Sequence, residues 1–170
     1  MQTLNNKDLL KIIVPFIRSI GITVHFESLN SDTFLPGIQI RKGELVVDAS
    51  KIIYPGDLLH EAEHIACVYP HERPLLNDNV APENAADAIE MGVIAWSYAA
   101  LVHLELDADV VFHEGGYQEG GNHLKEIFLN NDMPIGLPLL EWMGLTTSKQ
   151  NAKEGEIYFP KMIKWLRDDD

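Results

Sequence analysis

Apolar residues recur at helical spacing from Asn6 to Ile20, where Leu9, Leu10, Ile12, Ile13, Phe16, Ile17 and Ile20 share one side of the segment. Pro15 predicts a kink in that helix and Gly21 its stop. The pattern then shortens to an alternation of apolar and polar positions over Ile22–Glu27, Gly37–Arg41 and Glu44–Asp48. Lys42-Gly43 joins the last two as a tight turn, so a small antiparallel sheet is expected. Pro55-Gly56-Asp57 opens LLHEAEHIACVY, rich in helix formers, with Asp57 as the expected N-cap and Pro70 as the terminator. A polar loop follows, and Pro82 is expected to start a long helix that reaches about Leu104. Beyond it come a short apolar piece at Asp107–His113, a glycine-rich loop over residues 113–121, and helices at Asn122–Asn130, Ile135–Met143 and Tyr158–Leu166. The expected class is α+β, with a predominantly helical C-terminal half, in one domain over residues 1–170.

Composition narrows the partners. Acidic residues outnumber basic ones 26 to 13, for a formal charge of −13, a field that repels phosphate backbones and anionic lipid. Nucleic acid is therefore not expected as a partner. The longest mostly apolar stretch, Met91–Leu104, is too short to span a bilayer and reads as a buried helix. The single cysteine, Cys67, has no internal disulfide partner, and the polar N-terminus lacks the apolar core of a signal peptide. A cytoplasmic protein is expected, acting on a peptide or protein substrate rather than at a membrane.

Chemistry concentrates in His60-Glu61-Ala62-Glu63-His64, an HExxH pattern. Residues four apart on a helix share a face, so both imidazoles can bind one zinc ion. Glu61 then stands beside the metal, where it can take a proton from a zinc-activated water. A catalytic zinc generally takes three protein ligands and keeps one position open, so a further ligand is expected. Glu83, Asp87 and Glu90 lie along one stripe of the following helix. Glu90 enters an apolar stretch, where a carboxylate demands compensation, and is the stronger choice; Glu83, in the first turn, is the alternative. Asp87 is expected behind a zinc-bound imidazole as a hydrogen-bond acceptor. His113 and Tyr117, at the glycine-rich loop, are candidates to donate to a developing oxyanion.

HEAEH followed by a glutamate-bearing helix resembles the gluzincin branch of the zincin metallopeptidases, over about Pro55–Leu104. The Glu83–Asp87 spacing is similar to that of thermolysin-like and aminopeptidase-like members, and the Glu90 spacing resembles the compact ImmA/IrrE-type peptidases. The resemblance implies a minimal zincin-like fold, a Zn2+ cofactor held by His60, His64 and Glu90 or Glu83, and Glu61 as catalytic base. It does not extend to metzincins, because Cys67 and Pro70 stand where glycine and histidine are needed. The competing functional reading is a non-catalytic or regulatory zinc-binding module built on the same ligands.

Overall fold

Asn5 keeps extended backbone and accepts the Asp8 N–H at 3.1 Å, an N-cap that starts helix α1, Asn6–Ser19. The computed structural model describes residues 4–30, 33–78, 86–113, 115, 121–130 and 133–169, with backbone alone over 86–93 and 121–123. Helix α1 buries Leu9, Ile13, Val14, Phe16 and Ile17 and runs through Pro15. Pro15 lies on the exposed side, where water can serve the carbonyl that loses its N–H partner. The helix stops at Gly21, whose φ of 101° is open to glycine at little cost.

Three strands follow: β1 at Val24–Phe26, β2 at Ile38–Arg41 and β3 at Glu44–Val47, in the order β1-β3-β2. Strands β2 and β3 form the expected antiparallel hairpin, with Ile38 opposite Val47 and Arg41 opposite Glu44. Lys42 and Gly43 turn it with φ of 51° and 76°, the left-handed pair that matches strand twist. The sheet as a whole is mixed, because β1 lies parallel to β3, Val24 opposite Leu45. Central β3 buries Leu45, Val46 and Val47, so both of its faces are covered.

Helix α2, Asp57–Ala66, packs on α1, on the sheet and on helix α3, Ala86–His103. The expected N-cap is displaced by one residue. Gly56 is the cap and Asp57 is the first helical residue, its carboxylate engaged elsewhere. At the other end the helix stops at Ala66, ahead of Pro70, and two arginines from beyond the helix serve its last carbonyls. Arg73 Nε donates to Ile65 O at 3.1 Å, and the Arg167 backbone N–H donates to Ala66 O at 2.8 Å. The Arg167 guanidinium lies over Tyr69 at 3.5 Å and over Trp142 at 4.6 Å, which fixes the chain's end against α2.

Helix α3 is described from Ala86 and lies within the expected span, while its expected start at Pro82 lies outside the described residues. It carries Trp96, fully buried, whose Nε1 donates to Trp165 O at 3.0 Å. Helices α4, Gly121–Asn130, and α5, Leu137–Trp142, follow as expected. Tyr158–Leu166 is not helical. Pro160 cannot donate, and the backbone is spent on distant partners: Phe159 N–H to Thr147 O at 2.9 Å and Ile163 N–H to Leu145 O at 2.8 Å. Among the described residues no helix is long and apolar enough to cross a membrane. The α+β class holds, with helices predominating after the sheet.

The segment after α5 is organised by one carboxylate. Glu141 Oε1 accepts from Ser148 N–H at 2.8 Å, Thr147 Oγ1 at 2.9 Å and Asn151 Nδ2 at 2.9 Å. Those donors, the Ser148 backbone N–H foremost, hold its pKa at about 2, below the usual carboxylate value of 4.5. A folded-state pKa below the unfolded one adds stability that is full above about pH 4.5 and fades as pH falls toward 2. Glu141→Gln is expected to lose about 1 kcal/mol at neutral pH. On acidification from pH 6 to pH 3 its melting temperature should converge on that of the wild type. A gap that stays constant over that range contradicts the role given to the charge.

Candidate metal centre on the second helix

The close approach of residues 108–110 to the start of α2 builds one side of the site. A Cβ on Gly56 would sit 1.8 Å from Val110 O, so only glycine allows the Ala108–Val110 turn to lie there. That turn delivers His113 to the first turn of α2, where its Nε2 lies 2.8 Å from Asp57 Oδ1. Both side chains are 9% exposed, and the imidazole stacks on Tyr54 with centroids 3.7 Å apart. Burial raises the Asp57 pKa above its usual value even though His113 opposes it. His113 Nδ1 is buried and has no hydrogen-bond partner among the described residues.

One turn further on, His60 and His64 stand side by side, ring centroids 5.0 Å apart and planes perpendicular. Helical periodicity sets this geometry. Burial, with His60 beside it, pushes the His64 pKa down to about 4, so its imidazole is neutral at pH 7, the form that ligates. Glu63 joins the pair: ligating atoms of His60, Glu63 and His64 all lie within 4.8 Å of one another. Two donors on one tetrahedral zinc stand roughly 3.4 Å apart, so modest side-chain rotation would bring the two imidazoles to one ion. Two imidazoles with carboxylates around them are a donor set that suits zinc.

The motif carries a glutamate beside each imidazole, and the fold separates them. Glu61 is partly accessible, and its pKa is pushed up to about 7, chiefly by burial, with Asp78, Glu63 and Asp57 adding to it and His60 opposing. Glu63 is fully buried. Ser97 Oγ, on α3, donates to its Oε2 at 2.7 Å, and His60 Nδ1 lies 3.1 Å from its Oε1. Glu61 is thus the carboxylate that can meet an incoming molecule, and Glu63 is enclosed.

Residues 77 and 78 pair along part of edge strand β2. Ile40 N–H donates to Asp78 Oδ1 at 2.5 Å, Asp78 N–H donates to Ile40 O at 3.2 Å, and Lys42 N–H donates to Asn77 Oδ1 at 3.0 Å. This places Asp78 beside edge strand β2 and among the groups that act on Glu61.

Of the residues expected from sequence, His60, Glu61 and His64 come together on α2, and His113 reaches its first turn. Glu90 and Asp87 lie in α3 with only their backbone described, and Glu83 and Tyr117 lie outside the described residues. Glu63, Ser97 and Tyr54 were not singled out from sequence, and Asp57 was read only as a helix cap. Glu63 had a signal, since it stands three residues after His60 and therefore on its neighbouring helical face. The Asp57–His113 pairing spans 56 positions and had none. Comparison with family models, curated proteins and solved structures finds no match, so the functional reading stands on these residues alone.

Gly56→Ala must push the 108–110 turn off the start of α2. The expected cost is about 2–3 kcal/mol in chemical denaturation. A variant within about 0.5 kcal/mol of wild type contradicts the close approach as the device that places His113.

Proposed function

We propose that the protein is a zinc-dependent hydrolase of the peptidase type, cleaving amide bonds of a peptide or protein substrate in a reducing cytoplasm. One observation carries the reading: His60 and His64 lie a helical turn apart with their rings 5.0 Å from each other, and a partly accessible Glu61 follows directly on His60. That arrangement pairs a metal-binding face with a carboxylate open to a substrate. The proposed ligands are His60, His64 and Glu90, with Glu83 as the alternative to Glu90. Cys67, a buried thiol whose pKa burial raises far above its usual value, is consistent with a reducing compartment and unsuited to act as a nucleophile.

Zinc, when bound, supplies Lewis acidity: it brings the pKa of a water from about 15.7 to about 7 and polarises the carbonyl to be attacked. Glu61 takes one proton from the attacking water as the oxygen bonds to the carbonyl carbon. It then passes that proton to the amide nitrogen as the carbon–nitrogen bond breaks, which leaves a carboxylic acid and an amine. Asp57 and Tyr54 hold the His113 ring beside the first turn of the helix, and His113 and Tyr117 are the proposed donors to the developing oxyanion.

The two central substitutions separate binding from chemistry. Glu61→Gln should keep one equivalent of zinc and lose peptide hydrolysis by about 100- to 10,000-fold. His64→Ala should lose stoichiometric zinc, as read by elemental analysis of purified protein; full zinc occupancy in that variant contradicts the ligand assignment. A wild type that holds zinc but cleaves no peptide in a broad library points to the regulatory zinc-binding module instead. For the remaining ligand, Glu90→Ala should weaken zinc binding more than Glu83→Ala, and the reverse order moves the ligand to Glu83.

A further inference from the structure

A fully buried carboxylate inside a metal-binding motif needs an account of its own. Glu63 has no solvent exposure, and a charge so placed is costly unless hydrogen-bond donors meet it. Ser97, also fully buried, reaches across from α3 to donate to Oε2 at 2.7 Å. The other oxygen, Oε1, is buried and lies 3.1 Å from His60 Nδ1, a contact at ion-pair distance without hydrogen-bond geometry as placed. We propose that Glu63 is a positioning residue for the metal site: it fixes the Nδ1 side of His60, and Ser97 fixes Glu63, so that His60 presents Nε2 to the ion.

The chemistry of imidazole supports the direction of that arrangement. A neutral histidine carries its proton on one ring nitrogen and a lone pair on the other. With Glu63 ionised, a lone pair on Nδ1 would stand 3.1 Å from a carboxylate oxygen, which is repulsive, so the proposal puts the proton on Nδ1, from where a small ring rotation completes the hydrogen bond. The lone pair is then on Nε2, and the ring is oriented before any metal arrives. A carboxylate behind a zinc-bound imidazole sets its tautomer and increases its basicity. Asp87, of which only the backbone is described, was expected from sequence to do this; the proposal gives that role at His60 to Glu63, from within the motif itself. The arrangement also ties α3 to the site through Ser97, since α2 cannot shift along α3 without breaking the 2.7 Å bond.

This inference rests on the metal-site reading, and the test separates the two. Zinc affinity is measured by competition with a chelator for wild type, Glu63→Gln and Ser97→Ala, each checked for folding by circular dichroism. In parallel, imidazole 15N–1H spectra of metal-free protein report the His60 Nδ1 proton. Glu63→Gln should still bind one zinc, 10- to 100-fold more weakly. Ser97→Ala should shift affinity in the same direction by less than Glu63→Gln. The His60 Nδ1 proton should be protected from exchange and shifted downfield in wild type and lose that shift in Glu63→Gln.

Affinity within twofold of wild type in a folded Glu63→Gln overturns the proposal. So does complete loss of stoichiometric zinc there, which makes Glu63 a ligand rather than a positioning group. If Glu63→Gln does not fold, the Ser97→Ala spectrum decides: an unmoved His60 proton signal overturns the proposal and a moved one supports it. A wild type that binds no zinc sinks the metal reading itself, while the spectrum of the metal-free protein still reports on the Glu63–His60 contact.

Discussion

Helix α2 is pinned by groups outside it, and the whole site depends on that seat. At its start, Gly56 allows Val110 O to come so near that no other side chain fits. In its middle, Glu63 is bonded to Ser97 of α3. At its end, Arg73 and the backbone of Arg167 take up carbonyls that the last helical turn leaves without N–H partners. Two imidazoles one turn apart can serve a single ion only if the helix that carries them does not slide or fray. These contacts act on each of the ways it could do so.

The same seat divides the labour between two glutamates that look equivalent in HEAEH. The face of α2 turned toward α3 receives Glu63, which is shut away from solvent and bound to a hydroxyl. The face that bears Glu61 remains partly accessible. An enclosed carboxylate can hold a neighbour in place, whereas an accessible one can exchange a proton with an incoming molecule. In the proposed function it is burial, rather than residue type, that assigns the roles.

Much of this could be read from the chain before its fold was known. Helix α1, the β2–β3 hairpin and the motif helix declare themselves through local signals: an apolar stripe, a Lys-Gly turn and a segment opened by Pro-Gly. What escaped was everything set by distant partners. The parallel pairing of β1 with β3 depends on a crossover that no turn residue marks. Tyr158–Leu166 has helical spacing of apolar residues, yet its neighbouring backbone is claimed by Thr147, Leu145 and Ala66. The Asp57–His113 pair joins segments 56 positions apart and leaves no local trace, and an Asp at the first turn of a helix reads as a cap. The two imidazoles and Glu61 were legible because helical spacing alone brings them to one place. Glu63 carried a signal in its spacing from His60, but its bond to a serine of another helix left no local trace.

The most direct measurement of the central claim is anomalous diffraction at the zinc edge from crystals of zinc-loaded protein. The account predicts one peak, about 2.0–2.1 Å from a nitrogen of His60 and from a nitrogen of His64. Glu61 should be free of the ion and Nδ1 of His60 turned to Glu63. A zinc peak bound elsewhere, or fully loaded crystals with the two rings turned away from each other, contradicts it.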